Sequence, residues 1–236
     1  MGKGGARLAR LMLAASGAAA CAEQAFAGAW VQEPGHRQQI TDVSRERGDF
    51  GETWHTSALS EYGFTKKWGG HLKVDTQIRE DQNYDDRTSW DAGLQRMFNF
   101  GPRGGVVSVG ASLLAGEALE GPDCRGNGWG VSAGYGFSGK VAGHNAFVDA
   151  EAAYNERGSA CQRNLVQGSA GIDITPKFHV IVKAWSETGD KARSAKAEAD
   201  LLYDINKKYS AGLGYRQEIS GAFNESGFVA SVWRKF

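Results

Sequence analysis

His55 and Ser57 stand two positions apart, with Thr56 between them. In a β-strand alternate side chains share a face, so this spacing would set an imidazole base beside a hydroxyl, as nucleophilic catalysis requires. No third residue to orient the base is evident, since Asn83 falls in an expected loop. Proteolysis by paired acids and an Asp–His dyad is no better served. Asp49 and Asp85-Asp86 supply acid in expected loops, but His55 is the one histidine expected near that end. No catalytic residue is therefore assigned. Cys124 and Cys161 lack further cysteines or histidines at ligand spacing, so no metal site is expected, and the sequence implies no cofactor.

A larger set of ionisable side chains recurs with period two. Lys73, Asp75 and Arg79 share one parity, as do Asp149 and Glu151, and again Lys196, Glu198, Asp200 and Asp204. Glu61, Asp91, Asp173, Lys183, Glu187, Arg216 and Glu218 take the polar parity of their own stretches, so the set counts 5 basic and 11 acidic residues. Gathered on one face of several strands, these residues would line a water-filled wall. An acidic excess there favours cations. Passage of acidic sugars would call for clustered arginines, which the set lacks. Pairing of the charges across strands would instead close the space, and both an open and a plugged wall fit the pattern. Gly130, Gly134, Gly136, Gly212 and Gly214 share the polar parity. They leave room for a constriction or for a bulky neighbour such as Trp185.

The elements that position these residues must be strands. Leu72, Val74, Thr76 and Ile78 oppose His71, Lys73, Asp75, Gln77 and Arg79, a separation that a helix would mix. Trp129, Val131, Ala133, Tyr135 and Phe137 alternate with Gly130, Ser132, Gly134 and Gly136 in the same way. The segment from Ala195 to Asp204 has helix-forming composition, yet its charges share one parity, which predicts strand. Applied along the chain, this test predicts strands at 36–45, 54–64, 69–79, 88–98, 104–115, 128–138, 144–155, 164–175, 178–187, 194–205, 208–218 and 227–236. The first is weakest, because Gln38, Gln39, Thr41 and Asp42 give it little apolar face.

The connections alternate in length. Short turns rich in Gly, Pro, Lys or Asn are expected at Thr65–Trp68, Gly101–Arg103, Gly139–Gly143, Pro176–Lys177 and Asn206–Lys207. Most of the other connections, at Asp49–Gly51, Glu80–Arg87, Gly116–Asn127, Glu156–Arg163, Gly189–Arg193 and Ser220–Ser226, are longer and more polar. Aromatic residues gather near expected strand ends, with Trp54, Trp90 and Trp129 at the loop side and Tyr62, Phe98 and Phe178 at the turn side. Together these features predict an all-β fold, a closed antiparallel up-and-down transmembrane β-barrel of about 12 strands. Its apolar parity would face lipid, and the sixteen charged residues above would line the lumen.

Composition is compatible with this. Glycine is 33 of 236 residues and proline only 4, which excludes collagen-like and proline-rich disordered chains. Net charge is zero and no basic patch points to nucleic acid. The N-terminus has the three parts of an export signal: basic Lys3, Arg7 and Arg10, a short apolar run from Leu8 to Ala20, and Ala25-Phe26-Ala27 for cleavage. The chain divides accordingly into a signal at 1–27 and a barrel at 28–236. Removal of Cys21 with the signal leaves Cys124 and Cys161 in a compartment where disulfides persist. Both fall in loops on one side of the barrel, one hairpin apart, which predicts a disulfide tying those loops over the mouth. Two free thiols are the alternative.

The last strand, Gly227 to Phe236, alternates and stops on a terminal aromatic residue. With the A-x-A signal and the strand pattern, it resembles the small outer-membrane β-barrels of the bacterial porin or transporter kind. Ala27-Gly28-Ala29-Trp30 with Gln32, Pro34 and Gly35, and Glu61-Tyr62-Gly63-Phe64-Thr65-Lys66-Lys67, are similar to segments of poorly characterised proteobacterial barrels. The resemblance implies location in the bacterial outer membrane, contact with lipid and lipopolysaccharide, and recognition of Phe236 by the barrel-assembly machinery. It departs at Arg234, where such proteins often carry a second aromatic residue. The function expected is a monomeric pore for passive diffusion of small polar solutes or cations. A non-conducting structural or surface-interaction barrel with a charge-plugged lumen is the alternative.

Overall fold

The computed structural model describes residues 29–49, 51–79, 86–100, 105–117, 124–158, 161–189, 193–221 and 224–236. The expected signal segment and its cleavage site lie outside the described residues, as do the expected turn at 101–103 and the acidic Asp85. Twelve strands run in order: β1 (Arg37–Gly48), β2 (Gly51–Gly63), β3 (Trp68–Arg79), β4 (Arg87–Phe100), β5 (Gly105–Gly116) and β6 (Gly128–Val141). They continue as β7 (His144–Arg157), β8 (Cys161–Asp173), β9 (Phe178–Gly189), β10 (Arg193–Asp204), β11 (Tyr209–Ser220) and β12 (Ser226–Lys235). Each pairs antiparallel with its sequence neighbours. β1 pairs with β12 from Gln38 opposite Lys235 to Arg47 opposite Ser226, closing the barrel.

Closure at the termini is reinforced by Phe236. Its backbone N–H donates to the Arg37 carbonyl at 2.8 Å. The Arg37 and Arg234 guanidinium groups lie 5.0 and 4.0 Å from the centre of its ring. Arg234 also lies 5.5 Å from the Tyr209 ring, so its guanidinium makes cation–π contact with two aromatic rings.

The turn between β6 and β7 is tighter than expected. Gly139 and Lys140 stay in register with Ala146 and Asn145, and only Ala142 and Gly143 connect the strands. Both have positive φ, 51° and 87°, as a two-residue hairpin matching the strand twist requires. The glycine at 139 was read as the start of a turn, but it is accommodated within the ladder.

The outer surface is apolar between two bands of aromatic rings. Leu94, Leu113, Val166, Leu213 and Val232 face outward and exposed. At the loop end Trp129 packs on Tyr154 and Tyr215 on Phe228, with ring centres 5.5 and 5.6 Å apart. At the turn end Tyr62 packs on Phe64 and Phe178 on Tyr203, at 5.2 and 5.0 Å. An apolar belt on this scale is stable only when something apolar covers it, and rings of amphipathic aromatics at both margins match the two faces of a bilayer.

Candidate functional site: the barrel lumen

The inward parity changes character along the barrel axis. At the turn end Ile40, Leu59, Val106, Phe147, Ile181, Leu202 and Trp233 point inward and form one buried cluster with Met97 against it. This departs from the expectation that apolar residues face outward throughout. Above the cluster, the lumen holds a cavity of about 400 Å³ whose walls run from Ile40 and Leu59 up to Cys124 and Cys161.

The expected lumen residues separate into three groups. Lys73, Asp75, Asp91, Asp149 and Glu151 line the cavity from β3, β4 and β7, and Lys183, Lys196, Glu198 and Arg216 line it from β9, β10 and β11. Glu61 and Asp200 are buried inward residues off the cavity wall: Gln32 donates to Glu61 at 3.1 Å, and Asp200 pairs with Lys183 at 2.7 Å. Arg79 is buried at the loop end, while Asp173 lies at the turn end, where the His179 ring bridges it and Asp204 at 2.7 and 3.1 Å.

Most charges on the β9–β11 side form one ion-pair network. Lys196 Nζ reaches Glu46 at 3.3 Å and Glu225 at 2.8 Å. Arg216 pairs with Glu46 at 2.8 Å and with Glu198 at 2.6 Å, and its guanidinium lies 5.2 Å from the Trp185 ring centre. Lys183 pairs with both Glu198 and Asp200. Three cations thus meet four carboxylates, a nearly balanced cluster.

The opposite side is more acidic. Lys73 pairs with Asp75 at 3.1 Å and His71 with Asp91 at 3.1 Å. Glu151 accepts from Gln167 at 2.9 Å and Asp149 from Ser169, so these two are held by neutral donors. Between them β5 and β6 offer Gly110, Ser112, Gly130 and Ser132, a wall of small residues that leaves the cavity its space.

Arg157 and Arg163 line the cavity near its loop end and were missed in the sequence. Arg157 donates to Ser89 Oγ and the Ala115 carbonyl, both at 2.8 Å, and Arg163 pairs with Glu187. They were assigned to a loop because β7 and β8 extend further than the apolar alternation does. Glu46 and Glu225 were missed for the same reason, one at the end of weak β1 and the other just before β12. No single-strand pattern signals them.

His55 faces the cavity with Ser57, as their spacing implies. Its Nε2 lies 3.2 Å from Gln77 Nε2 and 4.0 Å from Glu46, contacts of a structural ring in a polar network. Glu46, His55 and Glu225 also bring ligand-type atoms within 4.8 Å of one another. The Lys196 ammonium already bridges the two carboxylates, occupying the electrostatic position a metal cation would take.

Cys124 and Cys161 form a disulfide, with Cα atoms 5.6 Å apart. It joins the segment before β6 to the start of β8, and both residues line the loop end of the cavity. The Gly126 N–H donates to the Gly116 carbonyl and the Gly158 N–H to the Asn127 carbonyl, each at 2.9 Å, so this segment is sewn to both neighbouring hairpins.

No protein-family model and no curated protein matches the chain. Solved structures do. The KdgM porin aligns with a TM-score of 0.59 at 11% identity, over 84% of this chain and 99% of that one. The NanC porin gives 0.64 at 11% identity, over 83% and 100%. An outer membrane channel from Pseudomonas putida F1 gives 0.60 at 9% identity, over 90% and 99%. The likeness is one of fold, and the fold is that of outer-membrane porins.

Proposed function

We propose that this chain is an outer-membrane channel through which small polar solutes or cations diffuse passively. The observation that carries the reading is a cavity of about 400 Å³, lined by charged as well as apolar side chains, inside a closed barrel whose outside is apolar. Asp75, Asp91, Asp149 and Glu151 outnumber Lys73 on its β3–β7 side, an acidic bias below the level of Arg157 and Arg163 that favours cations. The channel needs no cofactor and performs no reaction. The belt contacts lipid and lipopolysaccharide, and the terminal strand ending in Phe236 addresses the assembly machinery. Every strand edge is paired within the barrel, leaving none for a second copy to extend, and the proposed channel is a monomer with no nucleic-acid partner. The turn end faces the periplasm once the signal at 1–27 is removed.

The apolar cluster and the ion-pair network favour a second reading, a non-conducting structural or surface-interaction barrel. Single-channel recording of the refolded chain in planar bilayers under a salt gradient separates the two. Discrete steps with a cation-selective reversal potential support the channel. A folded barrel that never conducts, whether or not residues 29–34 are present, refutes it.

A further inference from the structure

We infer that residues 29–35 are a removable stopper that closes the turn end of the lumen. This rests on the channel reading and gives that channel its gate. Ala29 is 0% exposed and Trp30 8% exposed, although both precede the first strand. They enter the barrel from the turn end and complete the inward apolar cluster. The Trp30 ring meets Phe147 edge to face, with centres 6.3 Å apart.

The barrel wall is cut away to receive them. A Cβ on Gly136 would stand 2.6 Å from the Trp30 ring, and one on Gly134 would stand 3.4 Å from Ala29 Cα. A Cβ on Gly69 would stand 2.7 Å from Val31 Cγ1, and one on Gly63 2.1 Å from the Gln32 carbonyl oxygen. These glycines lie on β2, β3 and β6 and serve one segment. Gly136 is among those expected to leave room for a bulky neighbour; that neighbour is Trp30 rather than Trp185.

The contacts divide the segment into a hinge and a plug. Polar bonds cluster at its base: the Gly35 N–H donates to the Gly63 carbonyl at 2.9 Å, the Gly63 N–H to the His36 carbonyl at 3.1 Å, and Gln32 to Glu61. Gly35, with a φ of 81° that favours glycine, turns the chain from this base into β1. Ala29 and Trp30 are held by packing in the cluster. Apolar packing is non-directional, so Ala29 and Trp30 can withdraw from the cluster while the Gln32–Glu61 bond still holds the base. What it uncovers is the floor of the cavity at Ile40 and Leu59.

The test uses the refolded chain from residue 28 onward beside two variants, Trp30→Ala and a deletion of 29–34. Each variant should raise open probability by about tenfold or more over the parent. A second readout is independent of conduction. With Cys124 and Cys161 joined, Ala29→Cys supplies a lone free thiol, which should react with a hydrophilic maleimide far more slowly than the exposed Glu33→Cys. If parent and variants conduct in identical steps, the channel stands and the stopper is overturned. Equal labelling at 29 and 33 overturns the stopper whatever the conductance. If neither parent nor variants conduct, the channel reading falls and the gate with it.

Discussion

Arg216 is the residue whose removal most directly tests whether the lumen charges act as one body. Its side chain is 15% exposed, and it spans Glu46 and Glu198, which are 0% and 1% exposed. Arg216→Met would withdraw one cation from two buried carboxylates. Breaking a buried pair by removing one partner costs about 3–5 kcal/mol. Here Glu46 keeps Lys196 and Glu198 keeps Lys183, so the loss should lie near the lower limit, about 3 kcal/mol. Arg216→Lys keeps the charge but not the fork that reaches both carboxylates, and should fall between parent and Met. The assay is urea unfolding in lipid vesicles, with Glu198→Gln completing a double-mutant cycle. Coupling of about 1–3 kcal/mol is expected for residues sharing one network. Coupling below about 0.5 kcal/mol would mean that the pairs are independent and water-screened, and the description of a cohesive wall would be wrong.

Reducing the disulfide, or Cys124→Ser, should lower stability by about 4 kcal/mol from the chain entropy of a loop closed over 37 residues; an unchanged urea midpoint under reductant would contradict this. Leu213→Arg, on the exposed belt, should cost about 2–4 kcal/mol in vesicles if that surface meets hydrocarbon. A neutral effect would deny the belt its lipid. Asp91→Asn combined with Glu151→Gln should move the reversal potential toward zero, because both carboxylates line the open side of the cavity. An unaltered potential would assign selectivity elsewhere, with Asp75 and Asp149 the next residues to change.

The twelve strands were legible because period-two alternation is imposed on every lipid-crossing strand by its two environments. It held even for β10, where helix-forming Ala, Lys and Glu run from Ala195 to Asp200, since barrel context overrides intrinsic propensity. Strand limits were less legible. β1 and β2 extend to Gly48 and Gly51, beyond the apolar alternation, and β7 continues to Arg157. Past the belt both faces meet water or neighbouring chain, and the pattern that marks a strand disappears while its hydrogen bonds continue. The ion-pair partners of Lys196 and Arg216 were hidden for a further reason. Glu46 lies 150 residues from Lys196 and 170 from Arg216. Only the β1–β12 closure brings them together.

Apolar residues on the inward parity carry information that a rule of apolar-outward discards. An open, water-filled lumen has no use for Ile40, Leu59, Val106, Phe147, Ile181, Leu202 and Trp233 facing one another. Burying them is favourable only if the centre of the ring is filled, because packed interiors tolerate few voids. The strands alone do not fill it, since Gly134 and Gly136 remove side chains from β6 at that level. A filler must therefore come from outside the strand set, and it must enter from the end where the cluster lies. β1 begins and β12 ends there, and Phe236 is held at the closing seam, its ring engaged by Arg37 and Arg234. The N-terminal segment remains, and Trp30 has the size and the apolar surface the ring lacks. An inward parity that turns apolar and glycine-rich at one end of a barrel is thus itself a sign that a terminal segment folds into that end.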